Sequence, residues 1–382
     1  MLCRACAIVG CSLTLHALAG VAPADEPTET TTQTPVEPPL AATADVLTDQ
    51  PAPTLDPDAG AGAWRFTGAH LYWENDGTYA DPFDETDHHY TNGAKIELTF
   101  DPAFDADTRE FLAPSDRWPD AKLAFGVLVA QHIYTASSIE LKDPPADDRP
   151  YAGWLYTGVY LQRRSGNVHD HLELDVGVVG SWSLGEDAQR FIHAAVSNQV
   201  EPQGWSHQLA NELAINVRLQ RSWRTERAHL FGDGGAGGLE MEGIGRLGAD
   251  LGNVFIRANS DVTLRLGMHL PDDFGPPRML DYRDATGTWS PDHTWGLYGY
   301  GRMGLRAVAH NIFLDGNTFA DSRSTDPERL VGELEVGLRG AFELAGGMLE
   351  VGYAWTYSTP EYRAQSTGDT IGAWTLSWVH RF

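Results

Sequence analysis

Residues 374–382 read WTLSWVHRF, with a large side chain at every second position. Such alternation predicts a β-strand, because successive side chains of a strand point to opposite faces. A period of two, mostly in apolar residues, recurs throughout the chain, in the segments Leu123–Val129, Leu155–Leu161, Leu172–Val178, Leu213–Leu219, Val262–Met268, Leu334–Leu338 and Leu349–Trp355. The sequence therefore predicts an all-β fold.

The residues between these apolar positions are charged or small, as at Glu173, Asp175, Arg218 and Glu335. A soluble sandwich and a membrane barrel both have one apolar and one polar sheet face, so the alternation alone leaves both folds open. The rings of segment 374–382 resemble the C-terminal assembly signature of bacterial outer-membrane barrels. Trp and Tyr near other strand ends would form the aromatic girdles at the two membrane interfaces. We therefore predict a transmembrane antiparallel β-barrel of about 12 strands.

Composition and charge exclude several other classes of protein. The 53 acidic side chains against 27 basic ones give a formal charge of −26, which would repel nucleic acid. The chain is 42% hydrophobic, which excludes a largely disordered protein. No stretch of 18 apolar residues follows the N-terminal segment, so the sequence does not predict a helical membrane protein.

The first 24 residues have the layout of a signal peptide. Arg4 precedes an apolar run from Ala5 to Leu18, and small residues at Ala22-Pro23-Ala24 form a cleavage site. The alternative is a membrane anchor, but the run is shorter than the roughly 20 residues that a spanning helix needs. All three cysteines lie in this segment, so the exported protein would have no thiol.

Residues 25–63 are rich in Pro, Thr and acid and contain no Lys or Arg, which predicts a disordered leader. The barrel would then occupy residues 64–382. Three stretches rich in Gly, Pro and Asp, residues 101–120, 270–293 and 312–329, are expected to be the long outer loops, with short turns on the periplasmic side.

Unusual polar runs concentrate in the first half of the predicted barrel, where a plain pore needs no particular sequence. They are Glu74-Asn75-Asp76, Tyr90-Thr91-Asn92-Gly93 and Asp147 through Trp154. The last of these is expected to be a turn in which Arg149 pairs with a carboxylate, with Tyr151 and Trp154 in the interface belt. A second metal patch is the alternative.

The segment between Gly185 and Glu212 mixes helical spacing with turn residues, which predicts a short helix or folded insertion at the barrel rim. No serine lies in a recognisable nucleophile motif, although a serine and a histidine could still meet in space.

These polar segments resemble the outer-membrane lipid A 3′-O-deacylases. The matching pieces are Asn75-Asp76, Asp87 through Gly93, Gln131 through Tyr134, Asp148 through Thr157 and Gln189 through Glu212. The resemblance covers roughly residues 64 to 220 and weakens into general barrel pattern afterwards. It implies a 12-stranded barrel, calcium dependence, and hydrolysis of the ester that holds the acyloxyacyl chain at the 3′ position of lipid A.

The resemblance also implies roles for single residues. His193 would be the general base that activates water, and Asp76 the leading calcium ligand. Asn75 would be a calcium ligand through its carbonyl or an oxyanion donor, and Thr91 an active-site hydroxyl. Gln189 would lie one helical turn before His193 and orient its ring or a water.

Two positions depart from the family pattern. A second acidic calcium ligand is expected after His193, and Glu201 is the nearest carboxylate. The spacing to Trp205 is one residue longer than the pattern, so Gln199 competes with it. Lys142 would carry the active-site lysine of the family as a phosphate contact, although the alignment after Tyr134 is loose.

The predicted function is thus a calcium-dependent esterase that acts on lipopolysaccharide in the outer leaflet of the bacterial outer membrane, as a monomer. Two alternatives stay open: a non-catalytic barrel, either a pore or a structural protein, and an outer-membrane phospholipase.

Overall fold

The computed structural model describes residues 63–77, 89–196, 201–231 and 238–380, all within one compact unit, Leu55–Phe382. The predicted signal peptide and nearly all of the predicted leader lie outside the described residues, as do Asp87 and Gln199. Those parts of the domain assignment stay predictions.

The described chain is mostly antiparallel strand. The strands are β1 (Arg65–Asn75), β2 (Tyr90–Asp101), β3 (Lys122–Tyr134), β4 (Ala152–Ser165), β5 (Val168–Val179), β6 (Glu212–Arg224), β7 (Ala228–Phe231), β8 (Leu239–Gly252), β9 (Phe255–Met268), β10 (Trp295–Asn311), β11 (Leu330–Leu344), β12 (Gly347–Ser358) and β13 (Asp369–His380).

The sheet closes on itself. Apart from β6 and β7, each strand pairs with its neighbour in sequence, while β1 pairs with β13 and β6 pairs with β8. The short β7 also pairs with β8, further along the same edge as β6, so β6 and β7 are two segments of one barrel strand. Within the described residues this gives a closed antiparallel barrel of 12 strands, which confirms the predicted fold and strand number.

The period of two in the sequence arises because alternate side chains point to the two faces of the barrel wall. On β5 the side chains of Leu172, Leu174 and Val176 are exposed, whereas Glu173 and Asp175 between them are buried in the lumen. Trp374 and Leu376 on β13 also point outward. An apolar outer surface and a polar interior are what a barrel in a lipid bilayer requires.

In the part of the chain that the structure describes, three short helices interrupt the strands: α1 (Ala106–Leu112), α2 (Gly185–Val196) and α3 (Ile312–Asp315). The carboxylate of Asp105 caps α1 by accepting a hydrogen bond from the Thr108 amide at 2.8 Å. No helix in the described part of the chain is long and apolar enough to cross a membrane. The helix or insertion predicted between Gly185 and Glu212 is α2, followed by the 3₁₀ turn Gly204–His207.

Because the strands alternate in direction, the connections divide between two ends of the barrel. The site end is where β1 ends, and it carries α2 and residues 135–151, 312–329 and 359–368. The terminal end is where β1 begins and β13 ends, and it carries residues 102–121 and 269–294. The prediction that 101–120, 270–293 and 312–329 are all outer loops is therefore wrong, because the first two lie opposite the third.

The connection between β9 and β10 folds into the lumen, and we call residues 270–293 the lumen segment. The ammonium of Lys95, in the middle of β2, donates to the carbonyls of Arg278 and Asp281 at 3.0 and 2.9 Å. The guanidinium of Arg283 forms a two-pronged ion pair with Glu350 at 2.7 and 2.8 Å. The Gly and Pro content of the lumen segment correctly indicated a loop. The charged residues of this loop, however, pair with residues of the barrel interior.

Glu350 on β12 provides a test of this interior packing. Its carboxylate accepts hydrogen bonds from Arg283, Arg339 and the Trp289 indole, all buried. Replacing Glu350 with Gln leaves two guanidinium groups without their counter-charge, so we expect a loss of about 3 kcal/mol in the free energy of unfolding.

Urea titration of the refolded barrel, followed by tryptophan fluorescence, measures this loss. Glu328→Gln, at an exposed carboxylate, is the matched control and should change the free energy by less than about 0.5 kcal/mol. Equal stability of the two variants would show that Glu350 does not anchor the lumen segment.

Candidate active site

The end of β1 is fixed to the start of β2 by the side chain of Asn75. Its amide nitrogen donates to the Thr91 carbonyl at 2.7 Å, and its amide oxygen accepts from the Gly77 backbone at 2.8 Å. These two bonds leave the second amide hydrogen and one lone pair of the amide oxygen for other partners. The neighbouring Asp76 carboxylate is buried. Asn75 and Asp76 thus lie at a rigid strand end.

Thr91 links β2 to the end of β3. Its hydroxyl lies 2.8 Å from that of Thr135, and both side chains are buried. Thr135 is not among the predicted site residues, because a threonine just after a strand carries no signal of its own.

Helix α2 presents Gln189 and His193 on one face. The two residues are four apart, one helical turn, and both are buried, whereas Phe191 on the opposite face is 73% exposed. The helix packs against β3 and β4. A Cβ atom on Gly153 would come within 3.1 Å of Gly185 and within 2.0 Å of the Ser183 hydroxyl, so glycine is needed for this close approach.

The face of α2 is held by Trp205. The indole nitrogen of Trp205 donates to the Gln189 side-chain oxygen at 2.8 Å, and its ring packs edge-on against Tyr151. The amide nitrogen of Gln189 is buried and has no hydrogen-bond partner among the described residues. This nitrogen is therefore available to a water, and the role of Gln189 in orienting His193 or a water stays a prediction.

Packing brings this helix face to the strand ends. Ala188 of α2 contacts a buried cluster that includes Ile133 and Ala136, which flank the Thr135 region of the chain. Thr135 in turn bonds Thr91, to which Asn75 is attached. The helix bearing the predicted base and the strand ends bearing the predicted oxyanion and calcium groups thus share one part of the rim. Their chemical roles stay predictions.

Two predicted residues lie apart from this group. The Glu201 carboxylate is 61% exposed and forms an ion pair with Arg190 on the outer face of α2. Lys142 is exposed in the connection between β3 and β4. Their proposed roles as calcium ligand and phosphate contact would need these side chains to turn toward the site.

Calcium fits this region in ligand type. The ion prefers hard oxygen ligands, and the rim offers the buried Asp76 carboxylate and the side-chain oxygen of the adjacent Asn75. Among the described residues, no group of three or more His, Cys, Asp or Glu side chains could hold a metal. A calcium ion at Asp76 would therefore need carbonyl, water or substrate oxygens to reach its usual six to eight ligands.

The turn before β4 has the predicted structural role. Arg149 forms a buried ion pair with Glu361. Although burial acts in the opposite direction, the guanidinium groups of Arg149 and Arg306 lower the pKa of Glu361 to about 2. The interface-belt prediction for Tyr151 and Trp154 is wrong, because both side chains point inward and are fully buried.

Comparison with known proteins gives the following similarities. The model of the family described as "Outer membrane protein LpxR" matches residues 40–380. Among solved structures, the chain is similar to LpxR from Salmonella typhimurium, with a TM-score of 0.63 and 17% identity over 82% of this chain and 100% of that one. At this identity the likeness shows a shared fold.

Similarity to the beta domain of the Bordetella autotransporter BrkA is weaker, with a TM-score of 0.38 and 11% identity over 83% of this chain and 99% of that one. No match is found among curated proteins.

Trp205→Phe tests how α2 is held. The variant keeps an aromatic ring but removes the indole donor, leaving the Gln189 oxygen buried and unpaired at a cost of about 1–3 kcal/mol. We expect amide hydrogen exchange in Gly185–Val196 to accelerate roughly tenfold or more, as measured by mass spectrometry. Trp182→Phe, at an exposed ring just before α2, is the matched control. Unchanged exchange in Trp205→Phe would mean that packing alone holds the helix.

Proposed function

Because the chain belongs to the LpxR family of outer membrane proteins, we propose that it is a lipid A deacylase, an ester hydrolase of the outer membrane. The finer proposal is that it removes the 3′-linked acyloxyacyl chain of lipid A in the outer leaflet. The observation that carries it is the buried face of α2 with Gln189 and His193, on a helix that packs against β3 and β4 at the same end of the barrel as Thr91 and Asn75.

His193 is the general base of this proposal. Its ring takes a proton from a water molecule, and the resulting hydroxide attacks the ester carbonyl carbon. The bond between this carbon and the sugar oxygen then breaks, and the departing oxygen takes the proton from His193. The products are the free fatty acid and the lipid A hydroxyl.

Other residues of the rim support this step. The free donor of Gln189 orients the His193 ring or the attacking water, while the Trp205 indole holds the Gln189 oxygen. The remaining hydrogen of the Asn75 amide is suited to the negative oxygen of the tetrahedral intermediate. The Thr91 hydroxyl, fixed by Thr135, completes the polar wall.

Calcium is proposed as the cofactor, with Asp76 as its charged ligand. When bound, calcium would supply positive charge near the developing oxyanion. Glu201 stays the proposed second carboxylate and Lys142 the proposed phosphate contact. An acidic chain with a formal charge of −26 also needs cations between itself and phosphorylated lipid A.

The outer surface around α2 suits a lipid substrate. The side chains of Trp182, Leu184 and Phe191 are all more than half exposed beside the site. Exposed apolar residues at the rim of a membrane barrel can lie among acyl chains. This arrangement supports entry of the scissile ester from the bilayer rather than from bulk water.

One alternative from the sequence is disfavoured by a specific observation. A pore needs an open lumen, but the lumen segment lies within the described interior and is tied to the barrel wall by ion pairs such as Arg283 to Glu350. The phospholipase alternative shares the ester chemistry and differs in substrate, so the assay must include both lipids.

His193→Ala tests the base. We expect release of 3′ acyl chains from hexa-acylated lipid A, measured by mass spectrometry of extracted lipid A, to fall roughly 100- to 10,000-fold. His229→Ala, at an exposed histidine on β7, is the control and should retain activity. If wild-type protein leaves lipid A intact with calcium present but cleaves phosphatidylethanolamine, the substrate assignment is wrong.

Asp76→Asn tests the calcium site, because removing a charged ligand weakens calcium affinity. We expect the calcium concentration for half-maximal deacylation to rise roughly tenfold or more. The rise in unfolding temperature that calcium gives the wild type should shrink in parallel. Asp116→Asn, at an exposed aspartate of the terminal end, is the control. Identical calcium titrations of Asp76→Asn and wild type would remove Asp76 from the site.

A further inference from the structure

A second group of catalytic-type side chains lies at the site end, apart from His193. The Nδ1 atom of His89 is 2.7 Å from the Asp369 carboxylate, and its Nε2 atom is 3.1 Å from the Ser137 hydroxyl. This is the order of atoms in a Ser-His-Asp triad, where the carboxylate orients the ring and the far nitrogen faces the nucleophile.

The three side chains of this group differ in exposure in the way that a serine nucleophile and its base require. Ser137 is exposed, whereas the side chains of His89 and Asp369 are 8% and 12% exposed. The base and the acid are therefore shielded from water, and the hydroxyl is accessible to a substrate.

The position of His89 is defined by several contacts. Its ring packs edge-on against Tyr362 at 5.4 Å, and its carbonyl accepts from the Thr135 backbone at 2.9 Å. Its φ of 56° is in the left-handed region, which a non-glycine residue adopts at a cost and keeps only where its surroundings impose it. Such backbone positions concentrate at functional sites.

Asp148 is the competing acceptor for the single proton of Ser137, at 2.8 Å from the hydroxyl. The same carboxylate already accepts from the Tyr362 hydroxyl at 2.6 Å and from the backbone of Ser137 and Arg149. Burial works against them, but these hydrogen bonds lower the pKa of Asp148 below its usual value. A carboxylate of low pKa is a poor proton acceptor, so His89 is the better base.

Arg149 adds a positive charge to the group. Its side chain is fully buried, and its Nε and Nη1 atoms have no hydrogen-bond partner among the described residues. Its guanidinium carbon is 5.9 Å from the centre of the Tyr362 ring. The His89 ring contacts the same Tyr362 ring, and a buried cation with spare donors in this group can stabilise a negative oxygen.

We propose that Ser137, His89 and Asp369 form a second, serine-based esterase site for carboxylic esters that reach the outer rim. The Ser137 oxygen attacks the ester carbonyl while its proton passes to His89. The carbon–oxygen bond of the alcohol breaks, and the departing oxygen takes that proton, leaving an acyl-serine. Water, deprotonated by His89, then releases the acid and restores Ser137.

This site goes beyond the lipid A activity and uses none of the residues assigned to it. The full-length barrel, refolded in detergent, is treated with a fluorophosphonate, whose fluoride leaves as the Ser137 oxygen bonds to phosphorus. We expect a single labelled peptide, containing Ser137, and hydrolysis of p-nitrophenyl butyrate that stops once labelling is complete.

Variants separate the triad from a merely reactive surface serine. Ser137→Ala should abolish labelling and ester hydrolysis. His89→Gln should slow labelling at least 100-fold in protein that still shows the electrophoretic shift of a folded barrel on heating. Ser138→Ala, at the adjacent serine, is the matched control and should label at the wild-type rate. Labelling of Ser137 that is unaffected by His89→Gln, or no labelling of the folded wild type, overturns the proposal.

The variant His193→Ala separates the test of the serine site from the test of the deacylase proposal. This variant should lose lipid A deacylation and keep Ser137 labelling. Labelled protein without lipid A activity in the wild type would refute the deacylase proposal alone. Deacylation by wild type without labelling would refute the serine site alone.

Discussion

Closure of the barrel is the constraint on which the rest of this structure depends. A strand edge in lipid leaves backbone groups without hydrogen bonds, at several kcal/mol each, so β1 must pair with β13 and β6 with β8. Closure with alternating strand directions then brings distant parts of the sequence to one rim. Asn75, Thr135 and Trp205 become neighbours of one site because their connections all leave the barrel at the same end.

Closure also encloses a polar interior that must satisfy itself. Buried charges without partners are costly, and the lumen segment supplies many of the partners, among them Arg283 for Glu350. The segment reaches the site as well, because the Met279 amide donates to the Glu74 carboxylate at 3.3 Å, one residue before Asn75. The rigid strand end on which Asn75 and Asp76 lie is thus supported from inside the barrel.

The sequence predicted the features that depend on local pattern. Outward-facing residues such as Leu172 and Leu174 alternate visibly, so strands, strand number and the helix that carries His193 could be predicted. The end of the barrel at which each loop lies could not be predicted, because composition indicates a turn but not the direction of the strand before it. The partner of Gln189 and the inward direction of Trp154 depend on packing between elements, which one sequence does not display.

The serine site could not be predicted from the sequence, because its three residues are far apart along the chain. His89 is 48 residues from Ser137 and 280 from Asp369, so no sequence motif joins them. In space, the His89 to Ser137 pair adjoins the Thr91 to Thr135 pair, because the Thr135 amide donates a hydrogen bond to the His89 carbonyl. One backbone frame therefore holds a buried hydroxyl pair and, next to it, an exposed serine with its base. The chemistry of neighbouring positions on such a rim can differ without any change in the barrel. Main-chain hydrogen bonds fix the barrel, whereas side chains determine the chemistry.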